Sequence, residues 1–83
     1  MPVNVNYKKS VFSDLKKIGI QESTRIMEKI ETVLSDNPDK GEPLRGKYKG
    51  MFKLRVGDYR IVYTNTKNGV LILRIRHRKH VYR

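Results

Sequence analysis

Two groups of cationic residues carry the chemistry this chain is equipped for. The first lies in Met51 to Tyr63, MFKLRVGDYRIVY, where Lys53, Arg55 and Arg60 flank the pair Gly57-Asp58. The second is Arg74, Arg76 and Arg78, with His77 and His80 among them. Arginines aimed at phosphoryl oxygens stabilise the charge that develops when a phosphodiester is attacked. A group titrating near neutrality moves the proton of the attacking hydroxyl. His77 and His80 have the natural pKa for that role, and a lysine among cations, Lys53, is an alternative. Such a surface can hold phosphates. It can also cleave RNA without a cofactor, because the ribose 2′-hydroxyl itself attacks the adjacent phosphorus.

Other chemistries lack their residues. There is no cysteine, so thiolate ligands and disulfides are excluded. The two histidines have no carboxylate at ligand spacing, and no metal site is expected. Nucleophilic triads, paired carboxylates and phosphate-binding glycine loops are missing as well. Gly57-Asp58 reads as turn chemistry.

The net charge of +11 is unevenly placed. Residues 1–43 carry seven Lys and Arg against seven Asp and Glu, whereas residues 44–83 carry twelve against one, Asp58. A neutral half that serves as scaffold and a basic half that meets nucleic acid, an anionic surface or an acidic protein follow from that asymmetry.

The elements that must position these cations are legible from periodicity. In MFKLRV, alternation sets Phe52, Leu54 and Val56 against Met51, Lys53 and Arg55. A two-residue turn at Gly57-Asp58 pairs Val56 with Tyr59 and Arg55 with Arg60, which extends the apolar face through Tyr59, Ile61 and Tyr63. Lys53, Arg55 and Arg60 then share the reverse face. Like charges directly opposite each other destabilise a sheet, and a sequence that accepts this gains from it elsewhere. For the following hairpin, a three-residue loop Lys67 to Gly69 pairs Ile61 with Ile75 and Tyr63 with Leu73. The two-residue alternative Asn68-Gly69 would bury Arg74 and Arg76, so burial selects the longer loop. Arg74, Arg76 and Arg78 thereby join Lys53, Arg55 and Arg60 as six cations on one face.

Upstream, Val3, Val5 and Tyr7 alternate as a short strand. Val11, Leu15 and Ile18 mark a helix from about Lys8 to Ile18, with Phe12 beside them and Gly19 as its stop. Ile26, Ile30, Val33 and Leu34 mark a second helix over about Gln21 to Ser35. DNPDKGEP, residues 36–43, is a loop by composition, and LRGKYK, residues 44–49, is expected to enter the sheet with Arg45, Lys47 and Lys49 around Tyr48. The expectation is one α+β domain over 1–83: an N-terminal strand and a helical hairpin packed on one face of a twisted, mainly antiparallel sheet. No apolar run reaches the roughly 20 residues of a membrane span, no signal-peptide pattern opens the chain, and a cytoplasmic location is expected.

LRGKYKGMFKLRVGDYRIVY followed by ILRIRHRKHVYR resembles the RelE toxins of prokaryotic toxin–antitoxin systems, within the wider RelE/ParE superfamily. The likeness runs nearly the full length. It implies a small ribosome-associated endoribonuclease that cuts messenger RNA in the A site and is neutralised by a cognate antitoxin. It also implies roles. Lys53 matches a lysine that works on the reacting nucleotide, and Arg60 an arginine on the scissile phosphate. Arg78 matches a late arginine that protonates the leaving oxygen, and Tyr82 a C-terminal tyrosine on which the base stacks. Arg45, Lys47, Lys49, Arg55, Arg74, Arg76 and His77 are assigned to holding the RNA. Where well-studied RelE toxins carry a lysine proposed as general base, this chain has Met51, and Lys49, Lys47, His77 or His80 are the substitutes. Two other readings stand beside this one: a ParE-type toxin that poisons DNA gyrase, and a weakly catalytic relative that only binds RNA and its antitoxin.

Overall fold

In the computed structural model, which describes residues 3–77, the chain starts in strand β1 (Asn4–Tyr7) and enters helix α1 (Lys9–Ile18) directly. Gly19 alone connects α1 to helix α2 (Ile20–Asp36). With a φ of 100° it ends one helix, its amide bonding the Leu15 carbonyl at 3.1 Å, and begins the next, its carbonyl accepting from Ser23 at 2.9 Å. A one-residue break needs a left-handed conformation that only glycine adopts cheaply. The expected helical hairpin is present, and α2 runs one residue further at each end than its apolar stripe indicates.

Strands β2 (Glu42–Pro43), β3 (Met51–Val56), β4 (Tyr59–Thr66) and β5 (Gly69–His77) follow within the described residues. The five strands lie in the order β1-β5-β4-β3-β2, all neighbours antiparallel except β1 with β5. The central hairpin has the register expected from alternation, Val56 opposite Tyr59, Arg55 opposite Arg60 and Phe52 opposite Tyr63. Gly57 has a φ of 59° and Asp58 no positive φ, the arrangement of a hairpin turn with glycine at its first central position. Both helices cover one sheet face. Val11 and Leu15 from α1, Ile26, Ile30 and Leu34 from α2, and Ile61, Tyr63, Val70, Ile72 and Ile75 from the sheet form the core.

Two expectations need correction. The loop between β4 and β5 is the two-residue Lys67-Asn68, because Thr66 pairs with Gly69, and Tyr63 lies opposite Ile72 rather than Leu73. The register shifts between Val62 and Tyr63, so that Leu73 is the extra residue of a bulge. The bulge resets the parity: Val70 and Ile72 face the core on one side of it, Ile75 on the other, opposite Ile61 as expected. One inserted residue lets both halves of β5 bury their apolar side chains. Gly69 is required for a further reason. Its φ is 151°, and a Cβ there would collide with the backbone of Asn4 in the parallel strand beside it.

The second correction concerns residues 44–49. Only Glu42 and Pro43 pair with β3, opposite Lys53 and Phe52. Leu44 keeps one bond, its amide to the Met51 carbonyl at 2.9 Å. Gly46–Tyr48 then closes into a 3-10 turn, with Gly46 at a φ of 66°. Arg45, Lys47, Tyr48 and Lys49 therefore stand on an exposed loop at the sheet edge instead of alternating along a strand.

Candidate nucleic-acid interface

The sheet face away from the helices is built from rows of cross-strand neighbours. Its first row is Arg55, Arg60 and Arg76, from three consecutive strands. The second is Glu42, Lys53, Val62 and Arg74. The third is Met51, Thr64 and Leu71. Neighbouring strands lie about 4.8 Å apart, so three guanidinium-bearing side chains stand abreast with Lys53 one row away. Arg55 and Arg76 are exposed; Lys53 and Arg60 are half-buried. This gathers four of the expected cations, Lys53, Arg55, Arg60 and Arg76, as the alternation requires.

Arg74 belongs to the same face by register but is committed elsewhere. It reaches the rim of the sheet and donates from Nε and Nη2 to the two carboxylate oxygens of Asp14, both at 3.1 Å. Asp14 lies on α1 with only 6% of its surface exposed, and its carboxylate also accepts from the Ile75 amide at 3.0 Å. The cause is topological. Strand β1 ends at Tyr7, opposite Ile72, and leaves the edge of β5 open beyond that point. Helix α1 closes it: Ser10 donates to the Leu73 carbonyl at 3.2 Å, and Asp14 takes the Ile75 N–H. Asp14 was not singled out by the sequence, although it lies three residues after Val11 on an otherwise apolar stripe.

His77 is on the other face. It lies opposite Tyr59 and meets that ring edge-on at 5.2 Å between centroids, and Tyr59 packs against the helix-covered core. The structure therefore does not bring His77 into the row of Arg55, Arg60 and Arg76. Strand alternation puts it across the sheet from Arg60 and Arg76. It borders an open cleft of about 490 Å³ whose lining includes Asp14, Lys17 and Tyr59 and also Arg74 and Arg76. Arg78 and Tyr82, given catalytic roles above, and His80 lie outside the described residues.

The third row explains Met51. Leu44, Tyr48, Met51, Val62 and Leu73 line an open cleft of about 440 Å³, rimmed by Lys8, Arg74 and Arg76. Met51 is half-buried in this apolar end of the face, where an ammonium would lose hydration. The exposed ring of Tyr48, with the Lys47 ammonium 5.3 Å from its centroid, offers a flat surface of the kind on which bases stack. The face thus joins a cationic end to an apolar, aromatic end.

The edge strand β2 is anchored from beneath. The hydroxyl of Tyr63, fully buried, donates to the Pro38 carbonyl and accepts from the Gly41 amide, each at 2.9 Å. Burial raises the Tyr63 pKa above its ordinary value of 10.0; the Gly41 hydrogen bond works against this and the Asp39 charge adds to it. The folded state therefore favours the neutral phenol. That contribution is complete below pH about 10 and is lost as the pH rises from there toward the folded-state value. Tyr63→Phe is expected to cost about 1–2 kcal/mol at neutral pH and to flatten the alkaline loss of stability. Urea melts of both proteins at pH 7 and above 10 check this. Identical pH profiles would mean that the hydroxyl does not anchor the loop.

Among the described residues no group of His, Asp and Glu could hold a metal ion, and no helix is long and apolar enough to cross a membrane.

Residues 5–82 match the family model described as the ParE toxin of the type II toxin–antitoxin system parDE. The chain belongs to this family, and so to the type II toxins of the RelE/ParE superfamily. The toxin–antitoxin complex RelBE2 of Mycobacterium tuberculosis contains a chain 31% identical to this one, aligned over 93% of this chain and 99% of that chain with a TM-score of 0.83. The archaeal RelE–RelB complex of Pyrococcus horikoshii gives 25% identity, 98% and 100% coverage and a TM-score of 0.73. The isolated RelE toxin of Escherichia coli shares the fold at 18% identity, with 90% and 83% coverage and a TM-score of 0.69. No curated protein sequence matches the chain. The family model bears the ParE name while these structural relatives bear the RelE name, as the resemblance to the joint superfamily implies.

Proposed function

We propose that this protein is a ribosome-dependent endoribonuclease, the toxin of a type II pair, which cleaves messenger RNA in the A site. The observation that carries the reading is the row Arg55, Arg60 and Arg76 with Lys53 beside it on the helix-free face. Like charges held in register favour a polyanion that neutralises them. Arg60 is central in that row and is assigned to the scissile phosphate; Arg55 and Arg76 hold its neighbours, and Tyr48 stacks a base. By resemblance, Arg78 protonates the leaving oxygen and Tyr82 stacks on the reacting base. The known partners of the similar chains are antitoxins, as in RelBE2. The same basic face with its apolar end would accept an acidic, amphipathic antitoxin segment. Its place of action is the cytoplasm.

The second reading, gyrase poisoning, is favoured by the ParE name of the family model and by Met51, which supplies no proton acceptor. One experiment separates the two. Primer extension on messenger RNA translated in vitro is expected to give new 3′ ends within A-site codons, and none when ribosomes are omitted. Intact messenger together with inhibited supercoiling by gyrase would replace the first reading with the second.

A further inference from the structure

We propose that the apolar cleft of Leu44, Tyr48, Met51, Val62 and Leu73 is a base subsite that seats an unpaired purine of the RNA beside the cationic rows. This rests on the endoribonuclease reading above and adds what that face selects. The cleft has a volume of about 440 Å³ and is open to solvent, a size typical of small-ligand sites. Leu44, Met51, Val62 and Leu73 are half-buried, and none of them packs against the helix-covered core. Apolar surface gathered in this way marks a binding surface. The bulge in β5 adds to it deliberately. In an unbroken register Leu73 would lie opposite Tyr63 and face the core; the shift gives that place to Ile72 and leaves Leu73 to line the cleft. Bulges re-aim side chains in this manner beside functional sites.

An apolar side chain of a protein partner would suit the floor of the cleft, but the rim and the position favour a base. Lys8, Arg74 and Arg76 rim the cleft and attract the phosphates on either side of a bound nucleotide. Met51 is two residues from Lys53 on β3, a rise of about 7 Å. A nucleotide whose phosphate lies in the cationic rows therefore has its base within reach. The flat groups that would receive it are already fixed. The Tyr48 turn is closed by the bonds of its amide to the Arg45 carbonyl at 3.3 Å and of the Lys49 amide to the Gly46 carbonyl at 3.1 Å. The Thr64 hydroxyl holds the Gly50 carbonyl at 2.8 Å. Arg74 is held by both oxygens of Asp14, so its planar guanidinium is ordered before a base arrives. Unstacked RNA bases are taken up on such rings and guanidinium planes.

Among the described residues no Asn, Gln, Asp or Glu lines the cleft, so the base is read by stacking and size. A purine covers more of Met51, Val62 and Leu73 than a pyrimidine and removes more apolar area from water. Met51 thereby acquires a role: a lysine there would put a charge on the floor of the subsite.

Two measurements test this, one of them independent of cleavage. In the first, the protein labelled at its methionine methyl groups is titrated with adenosine monophosphate and with uridine monophosphate, which carry the same phosphate. The Met51 methyl signal is expected to move at least about fivefold further with the purine nucleotide, and that of Met27, which packs against the core from α2, to stay still. Equal shifts with both nucleotides would mean that only the phosphate is held, and no shift with either would return the cleft to a protein partner; each result overturns the subsite. In the second, single-turnover cleavage is measured on ribosomes programmed with messengers that carry a purine or a pyrimidine at each A-site nucleotide in turn. Wild type is expected to cleave about tenfold faster with a purine at one position. Tyr48→Ala and Met51→Lys are expected to erase that ratio, and Tyr48→Phe to keep it. A ratio within about twofold at every position, or one that Tyr48→Ala preserves, would overturn the subsite and leave the nuclease reading standing. Messengers left intact throughout, in a preparation that inhibits gyrase, would overturn both.

Discussion

Arg60→Ala is expected to lower messenger cleavage at least about 100-fold, the scale of removing one preorganised donor from a developing oxyanion, and to abolish growth arrest in cells. Arg60 is the middle member of the row Arg55, Arg60 and Arg76, so within that row it is flanked by a cation on each side. It is half-buried, which lowers the local dielectric and strengthens its field at a bound phosphate. Its loss removes like-charge repulsion along the row, worth some tenths of a kcal/mol, and removes packing of its aliphatic stem. These oppose each other, so the melting temperature is expected to stay close to that of wild type. Arg60→Lys keeps the charge but not the planar fork and is expected to recover only part of the rate. Arg55→Ala and Arg76→Ala, at the ends of the row and exposed, should weaken RNA binding more than turnover. Cleavage assays beside circular dichroism melts check all four. An unfolded Arg60→Ala protein, or one that still cleaves at the wild-type rate, would sink the assignment of Arg60 to the scissile phosphate.

Asp14→Ala is expected to destabilise the fold by about 3 kcal/mol, a fall in melting temperature of roughly 10–20 °C for a domain of this size. The carboxylate satisfies three donors at once, Arg74 Nε, Arg74 Nη2 and the Ile75 amide. Truncation leaves the amide of a buried strand without its acceptor. Arg74, whose side chain is 43% exposed, can turn to water and so limits the damage. Asp14→Asn keeps an acceptor for Ile75 and loses the two-pronged charge contact, and its cost should be intermediate. Because Arg74 and Asp14 act as a unit, the double variant with Arg74→Ala should cost less than the sum of the singles. An Asp14→Ala protein within about 0.5 kcal/mol of wild type, the scale of an exposed substitution, would show that α1 does not clasp the open edge of β5.

The sequence alone determined what depends on neighbours along the chain. Alternation through MFKLRV and YRIVY, joined by Gly57-Asp58, specified the central hairpin residue by residue, and with it the grouping of Lys53, Arg55 and Arg60. Val11, Leu15 and Ile18, then Ile26, Ile30 and Leu34, specified two helices with Gly19 between them. These are short-range effects, set by backbone period and turn geometry, and the hairpin residues among them carried part of the resemblance to the RelE/ParE toxins. The tertiary structure decided everything that rests on contacts across the chain. A bulge can reset the parity of a strand at any point, so the count from the loop misplaced Leu73 although it paired Ile61 with Ile75. Asp14 and Arg74 are far apart in sequence and meet only because β1 stops short and exposes the edge of β5. Glu42 appears to composition as part of the neutral half; hydrogen bonds from Tyr63 and pairing with β3 carry it to Lys53. Periodicity reports which side of its own element a residue occupies, whereas its partner on the next element is set by packing and edge hydrogen bonds, and it is those partners that make the site.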